Sequence, residues 1–328
     1  MQKIGKLGKA LKERFDYDVA GLPAWTDNTM PVVITDLINN SEFLSSLTLE
    51  SDVKGTKEIA LLNADVTLQA KVACTPSPDG SVIFTKANLT TVPLYMGIEF
   101  CNEDLNGKMT QILNKLGLSM QNGQLPADLE TVLGAYLGKL LQRKAQLIVV
   151  SGDTTSIDPE LVLMNGLRHI LVNDADVLTY DAADATMTST NAYEQFIGVH
   201  DKIPTELFDN EMIIKLYTGR TEARKCITAW NTLNPYNHID VINTKSSVSF
   251  ILPGTNVEVV TLPELDGKSE IYAIPLDLTF LGVDSLDDMN FEVKYNAYTD
   301  QLKAEASFRL GTQIVWGQYF VRLHLLNS

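Results

Sequence analysis

The sequence has few of the residues that mark disulfide-bonded, metal-binding or membrane proteins. Its three cysteines are odd in number and far apart, which excludes a disulfide framework and a zinc knuckle. Its four histidines lack a metal-binding spacing such as His-Glu-x-x-His, and no Gly-x-Ser-x-Gly elbow occurs. No run of about 18 apolar residues is present, so no membrane-spanning helix is predicted. We therefore predict no catalytic, cofactor or metal site; an α/β enzyme with an unrecognised site is the competing hypothesis.

Charge is distributed unevenly along the chain. The formal net charge is −15, which argues against general nucleic-acid binding. Residues 1–15 carry five basic side chains and one acidic one, a net +4, so the remainder sums to −19. The lysines of this segment, Lys3, Lys6, Lys9 and Lys12, also interrupt the apolar stretch that a signal peptide needs. We therefore predict an intracellular site of synthesis. We also predict that the basic N-terminal arm meets an anionic surface such as a neighbouring subunit; an ordinary surface helix is the alternative.

Residues 54–98 have the pattern of a long β-hairpin. Apolar residues recur along an outgoing limb that reaches Val72 and a return limb that runs from Val82 to Met96. Between them, residues 75–80 read Thr-Pro-Ser-Pro-Asp-Gly, a dense turn signal. Limbs of roughly 18 residues would reach about 60 Å. Because an isolated two-stranded ribbon is marginally stable, it needs a surface, either on its own chain or on another copy.

A long amphipathic helix is predicted over residues 126–146. Pro126 suits a first helical position, and Asp128 and Glu130 fall in the first turn, where the helix dipole favours acidic groups. Apolar residues then repeat at helical spacing: Leu129, Val132, Leu133, Tyr136, Leu137, Leu140 and Leu141. A stripe of this width can pack across a sheet.

The second half of the chain predicts a mixed α/β segment followed by amphipathic strands. Within residues 150–285 we expect a helix that starts at Asp158-Pro159-Glu160, a loop over 173–192, a helix over 220–233, and strands at 212–217, 248–252 and 257–260. Polar and apolar residues then alternate along 291–297 and 304–310, which gives each strand one wet and one buried face. The mixed segment is therefore inserted between the long helix and its sheet.

This order of parts resembles the tailed-bacteriophage major capsid proteins over essentially the whole chain. The segments Gly282-Val283-Asp284 and Arg309-Leu310-Gly311-Thr312-Gln313-Ile314-Val315 resemble that family's return to its P-domain and its final strands. The resemblance implies an α+β phage major-capsid fold: a long β-hairpin E-loop, a spine helix packed on an antiparallel P-domain sheet, and an inserted α/β A-domain. Its implied divisions are an N-arm (1–52), an E-loop ribbon (53–98), a first P-domain part with the spine helix (99–149), an A-domain (150–285) and closing P-domain strands (286–328).

The resemblance implies a structural and not an enzymatic role. Such a protein self-assembles through hexamers and pentamers into an icosahedral shell that encloses double-stranded DNA without sequence-specific binding. It would be made in the host cytoplasm and located in the virion capsid, with portal, scaffold or cement proteins as further partners and with no cofactor or membrane. A cellular encapsulin-like nanocompartment shell is an alternative with the same fold. The predicted assembly contacts are Lys6, Lys9 and Lys12 on the arm and Pro78, Asp79, Gly80, Val82 and Phe84 on the ribbon.

Overall fold

The computed structural model of the chain describes residues 41–66, 80–101, 128–236, 239–243, 247–284, 290–296 and 301–325. The helices are α1 (Glu42–Ser46), α2 (Asp128–Ser151), α3 (Leu167–Asn173), α4 (Ala192–Asp201), α5 (Thr205–Asp209) and α6 (Arg220–Leu233). The strands are β1 (Thr48–Glu50), β2 (Thr56–Val66), β3 (Gly80–Thr90), β4 (Val92–Cys101), β5 (Leu178–Ala182), β6 (Ile214–Thr218), β7 (Ile242–Asn243), β8 (Val248–Ile251), β9 (Glu258–Thr261), β10 (Ile271–Pro275), β11 (Thr279–Val283), β12 (Asn290–Asn296), β13 (Gln301–Ile314) and β14 (Val321–Leu325). Within these ranges no helix combines the length and the hydropathy that crossing a membrane requires.

The chain divides into two compact units. The first comprises Met1–Ser45, Pro93–Gln146 and Asp284–Arg309, and the second comprises Ser46–Val92, Leu147–Val283 and Leu310–Ser328. In the first unit β12 pairs antiparallel with β13, and β4 also pairs with β13. The Ser41 hydroxyl accepts a hydrogen bond from the Leu44 backbone N–H (3.2 Å) and so caps α1. The same hydroxyl donates to Gln146 Oε1 of α2 (2.9 Å).

A seven-stranded mixed sheet forms the centre of the second unit, in the order β5-β14-β10-β6-β9-β8-β7. Helices α4 and α6 pack on this sheet and on each other. On α4 the buried residues Ala192, Gln195, Phe196 and Val199 recur at helical spacing, which is the pattern of a helix with one face toward a core. The largest wholly buried side chains of this unit include Phe196, Tyr217, Phe250 and Phe320. Each such side chain contributes about 1.5–3 kcal/mol through burial, so this sheet is the main core of the second unit.

Helix α2 is the long helix that the sequence predicts, but it runs five residues further than expected, to Ser151. Its last turns contain Ile148, Val149 and Val150, which are all buried. β-branched residues have a low helix propensity, but burial of their side chains outweighs that small cost. The helix stops before Gly152, whose N–H donates to Ile148 O (2.9 Å).

Two local predictions in the second unit are wrong. No helix starts at Asp158: residues 158–166 form turns, and the next helix begins at Leu167. The Asp158 side chain accepts from the Glu160 N–H (2.9 Å), which is an Asx-type turn, and the N–H of Asp153 donates across the loop to Leu161 O (2.8 Å). The segment 173–192, expected to be a loop, contains strand β5, which pairs in parallel with β14.

Other predictions agree with the structure. The helix over 220–233 has the expected bounds, and strands β6, β8 and β9 lie within two residues of the expected positions. Strand β12 and the first half of β13 lie where alternating strands were predicted, and they pair antiparallel with each other. Strand β14 was grouped with the closing strands 286–328; in the structure it lies between β5 and β10 in the seven-stranded sheet.

Candidate assembly site: the ribbon and its root

Strands β2 and β3 form a two-stranded sheet of their own, which we call the ribbon. Eleven residue pairs join them, from Thr56↔Thr90 to Val66↔Gly80. The paired part is about 36 Å long at about 3.3 Å per residue. Among the described strands, none other pairs with β2 or β3. Because a two-stranded sheet is marginally stable in isolation, the ribbon requires a further surface to pack against.

Near its base the ribbon has little cover from its own chain. Exposed side chains occur on both strands, at Thr56, Lys57, Glu58, Ala60, Lys86, Asn88 and Thr90. Lys86 Nζ donates to Glu58 on the opposite strand, and Lys57 Nζ lies 2.7 Å from a carboxylate oxygen of Glu50. Ion pairs as exposed as these contribute little to stability. Only Leu89 among these basal residues is fully buried, and it lies where the ribbon meets the rest of the unit.

Thr91, the residue after β3, fixes the base of the ribbon. Its N–H donates to Gly55 O (2.7 Å), and its hydroxyl donates to Val53 O (2.7 Å). The Gly55 N–H donates in return to the Thr91 hydroxyl (3.3 Å), and the Val53 N–H donates to Val283 O of β11 (3.1 Å). Thr91 and Val53 are buried, so water does not compete for these bonds. The ribbon is thereby tied to β11 through the backbone.

Two facing glycines allow the ribbon to approach the sheet closely. Gly282 of β11 and Gly311 of β13 are direct cross-strand partners. A Cβ atom on Gly311 would lie 2.1 Å from the Thr90 carbonyl oxygen. A Cβ atom on Gly282 would lie 2.9 Å from both Leu89 Cδ2 and Thr91 Cγ2. We call Gly282 and Gly311 the glycine seat, and the seat together with residues 53–55 and 89–91 the root.

The structure differs from the sequence analysis in where the return limb ends. Val92, Leu94 and Met96 were expected on that limb, but ribbon pairing stops at Thr90 and β4 pairs with β13 instead. The hydrogen bonds of Thr91 redirect the chain at this point. Pro93 also lacks the N–H that a continued ribbon ladder would use.

The root brings together two segments that the sequence analysis had singled out separately. Gly282-Val283-Asp284 contributes one glycine of the seat, and the segment that begins at Arg309 contributes the other. In the first unit, Arg309 Nε lies 3.4 Å from Asp284 Oδ2, and the Asp284 side chain is only 6 % exposed. The glycine pairing was not predicted to belong to the base of the ribbon.

Of the predicted assembly contacts, three lie on the described ribbon. Gly80, Val82 and Phe84 are on β3, where their register partners are Val66, Ala64 and Leu62 of β2. Lys6, Lys9 and Lys12 of the arm and Pro78 and Asp79 of the turn lie outside the described residues. The role of all eight predicted contacts in assembly stays a prediction.

The titratable side chains of the second unit form pairs that join secondary-structure elements. Arg168 of α3 donates to both carboxylate oxygens of Glu270, with Nη2 2.6 Å from Oε1 and Nε 2.8 Å from Oε2. Tyr272 of β10 donates to the same Oε2 (2.9 Å). These bonds to Glu270 raise the pKa of Arg168, and burial raises the pKa of Tyr272, so both groups keep their protons at neutral pH. The arrangement ties α3 to the sheet.

Three histidines lie beside single carboxylates and not within a group of ligands. Nδ1 of His169 is 3.1 Å from Asp153, that of His200 is 3.3 Å from Asp201, and that of His324 is 3.0 Å from Asp181. Among the residues that the structure describes, no three His, Cys, Asp or Glu side chains could share a metal ion. His238 lies outside the described residues.

The chain is similar to known proteins in structure and not in sequence. No protein-family model and no curated protein matches the sequence. A chain of the satellite phage P4 procapsid that includes size determination (Sid) protein is similar in structure, with a TM-score of 0.59 and 9% identity, over 90% of this chain and 99% of that chain. A chain from Gordonia phage Cozz has a TM-score of 0.57 and 13% identity, over 87% of this chain and 86% of that chain. A chain from the capsid of an empty GTA particle has a TM-score of 0.57 and 10% identity, over 85% of this chain and 87% of that chain.

These matches extend over most of the chain, and they bear out the fold that the order of parts implied. The described elements agree with it: a long antiparallel ribbon, a long helix, and a mixed sheet whose strands come between that helix and β12 in the chain, except for β14, which follows β13. The chain has the α+β fold of the phage major capsid proteins.

Proposed function

We propose that this chain is a major capsid protein that self-assembles into an icosahedral shell of hexamers and pentamers around double-stranded DNA. The observation that carries the proposal is the ribbon: eleven residue pairs that no other described strand extends, with exposed side chains on both strands at its base. Its apolar residues have to be buried somewhere, and the capsid fold supplies the surface on a neighbouring copy. Such contacts are head to tail, which is the geometry that closes into rings. The role is structural and not enzymatic.

The charge of the chain supports a container for nucleic acid. Outside residues 1–15 the chain sums to −19, so this part of the chain as a whole repels a polyanion. A shell of this kind would hold DNA without binding it tightly or reading its sequence. The site of action would be the virion capsid, after synthesis in the host cytoplasm.

The register of the ribbon allows a clean deletion. Ala60 and Lys86 are direct partners, so residues 61–85 can be replaced by Asn-Gly, which closes a two-residue hairpin while the root stays intact. We expect this variant to remain folded by circular dichroism but to elute as a small species in size-exclusion chromatography with light scattering. The unaltered chain should give round particles in negative stain.

A second variant serves as the matched control. Replacing only residues 67–79 by Asn-Gly, between the partners Val66 and Gly80, keeps all eleven described pairs. It should assemble better than the variant that lacks the whole ribbon. Round particles from the chain without residues 61–85 would contradict the proposal. The enclosed material is tested separately: particles from infected cells should protect double-stranded DNA from nuclease, whereas a protein cargo would favour a cellular compartment.

A further inference from the structure

The segment 152–166, which we call the α2–α3 loop, is closed by hydrogen bonds within itself. The Gly166 N–H donates to Gly152 O (2.9 Å), and the Asp153 N–H donates to Leu161 O (2.8 Å). Thr154 donates to Asn165 Oδ1 through both its N–H (3.0 Å) and its hydroxyl (2.8 Å). A loop held in this way presents its side chains in a fixed arrangement, which lowers the entropy cost of binding.

Three large aliphatic side chains of this loop face solvent. Ile157 is 101% exposed, Leu163 45% and Val162 39%. Single exposed apolar residues are common on protein surfaces, but several on one ordered loop are typical of an interaction surface. The loop is therefore suited to bind an apolar partner.

The charge of the loop restricts the partner further. It carries three acidic residues, Asp153, Asp158 and Glu160, and no lysine, arginine or histidine. Hydrogen bonds from Thr155 hold the pKa of Asp153 below its ordinary value, so this group is ionised at neutral pH. The complementary partner is both apolar and basic.

The first 15 residues of the chain have that combination. Ile4, Leu7, Leu11 and Phe15 fall at helical spacing, and basic residues between them give the segment a net charge of +4. Residues 16–40 connect it to the described part of the chain and can span about 80 Å when extended. That reach is more than twice the length of α2, which is about 36 Å. Residues 1–15 can therefore contact surfaces far from residue 41, where the described part of the chain begins.

We propose that the α2–α3 loop of one copy binds residues 1–15 of a neighbouring copy in the shell. The inference rests on the proposed function and deepens it, because it names the surface that receives the arm and its lysines. Ile157, Val162 and Leu163 contact the apolar side of the arm segment, and Asp158 and Glu160 face its lysines. The neighbouring subunits are thus joined by a contact separate from the ribbon.

Photo-cross-linking in assembled, DNA-free particles tests this contact. The full chain carries p-benzoylphenylalanine in place of Ile157 and is co-assembled with ¹⁵N-labelled chain that lacks the cross-linker. After irradiation, mass spectrometry should find adducts with ¹⁵N-labelled peptides from residues 1–15, which proves that the partner is another copy. Adducts with any other segment, with unlabelled arm peptides alone, or with nothing would overturn the inference while the shell function stands. A chain that forms no particle overturns both.

Charge variants identify the cause of binding. Changing Lys6, Lys9 and Lys12 to Glu should lower the adduct yield at least fivefold. The double change Asp158→Asn and Glu160→Lys should lower the adduct yield to a similar extent. Asparagine keeps the Oδ1 atom that accepts the hydrogen bond from the backbone N–H of residue 160. Particles that combine both sets should regain part of the yield, because the lysine introduced at residue 160 then faces acidic residues on the arm. Yields that do not respond to either set, or that fall further in the combination, would contradict a charge-complementary contact.

Discussion

Gly282 and Gly311 face each other across the β11–β13 ladder, and the carbonyl oxygen of Thr90 lies where a side chain on Gly311 would begin. The close approach of the ribbon to the sheet therefore depends above all on the missing Cβ atom of Gly311. This approach is set by residues that lie about 190 and 220 positions after the ribbon in the chain.

Gly311→Ala should be more destabilising than Gly282→Ala. Alanine normally stabilises a strand relative to glycine, but at residue 311 its Cβ would meet backbone, which cannot move aside. We expect a loss of about 1–3 kcal/mol in the free energy of unfolding, measured by urea denaturation of unassembled chain. At residue 282 the Cβ meets only the side chains of Leu89 and Thr91, which can shift. Equal effects at the two positions would show that the close approach to Thr90 is not limiting.

Thr91→Val should loosen the root, whereas Thr91→Ser should not. Valine keeps the shape of threonine but removes the hydroxyl that donates to Val53 O and accepts from the Gly55 N–H. Leaving these buried groups unpaired should cost about 1–3 kcal/mol. Hydrogen exchange of residues 53–60 and 86–91 should accelerate in the valine variant and stay close to the native rate in the serine variant. If both variants exchange alike, the hydroxyl does not hold the ribbon.

Cys226 should be inert in the folded chain. Its side chain is wholly buried in α6, and burial raises the pKa of the thiol to about 12. Because the thiolate is the reactive form, iodoacetamide at pH 8 should leave Cys226 unmodified and should label it fully after denaturation in urea. Peptide mass spectrometry separates it from Cys74 and Cys101. Rapid labelling of Cys226 without denaturant would contradict the packing of α6.

Asp266 should make a small contribution to stability that disappears in acid. The N–H (3.0 Å) and hydroxyl (2.7 Å) of Thr221, in the first turn of α6, donate to its Oδ1, and these bonds lower the pKa of Asp266. A carboxylate with a lowered pKa stabilises the fold above its ordinary pKa of 3.8, and this effect is lost as the pH falls through the lowered value. The residue is exposed, so we expect only about 0.5 kcal/mol between the native chain and Asp266→Asn at pH 7. Thermal unfolding should show that difference shrinking below pH 4; a difference that persists at pH 2 would refute the assignment.

Periodic and capped segments could be predicted from the sequence, and segments fixed by distant contacts could not. Helix α6 was predicted with its bounds because its apolar spacing is regular and it follows a glycine. The paired limbs of the ribbon were predicted because their apolar residues flank a strong turn signal. In contrast, Asp158-Pro159 resembles a helix start locally, and only the bonds that close the α2–α3 loop make it a turn.

The base of the ribbon is a similar case. Both glycine segments stand out in the sequence, but the register that sets Gly282 opposite Gly311 pairs residues 29 positions apart and follows from no local pattern. The exit of the chain at Thr91 depends on acceptors at Val53 and Gly55, which no local pattern reveals. Sequence patterns therefore predicted that a ribbon exists, while its anchoring required the tertiary structure.

Strand β5 has one described strand neighbour, β14, which lies more than 130 residues later in the chain. During translation, residues 178–182 cannot complete their pairing with β14 until residue 325 has been synthesised. The second unit thus completes its sheet only when nearly all of this sequence has been translated. The ribbon, which precedes β5 in the chain, is therefore translated well before this sheet can be completed.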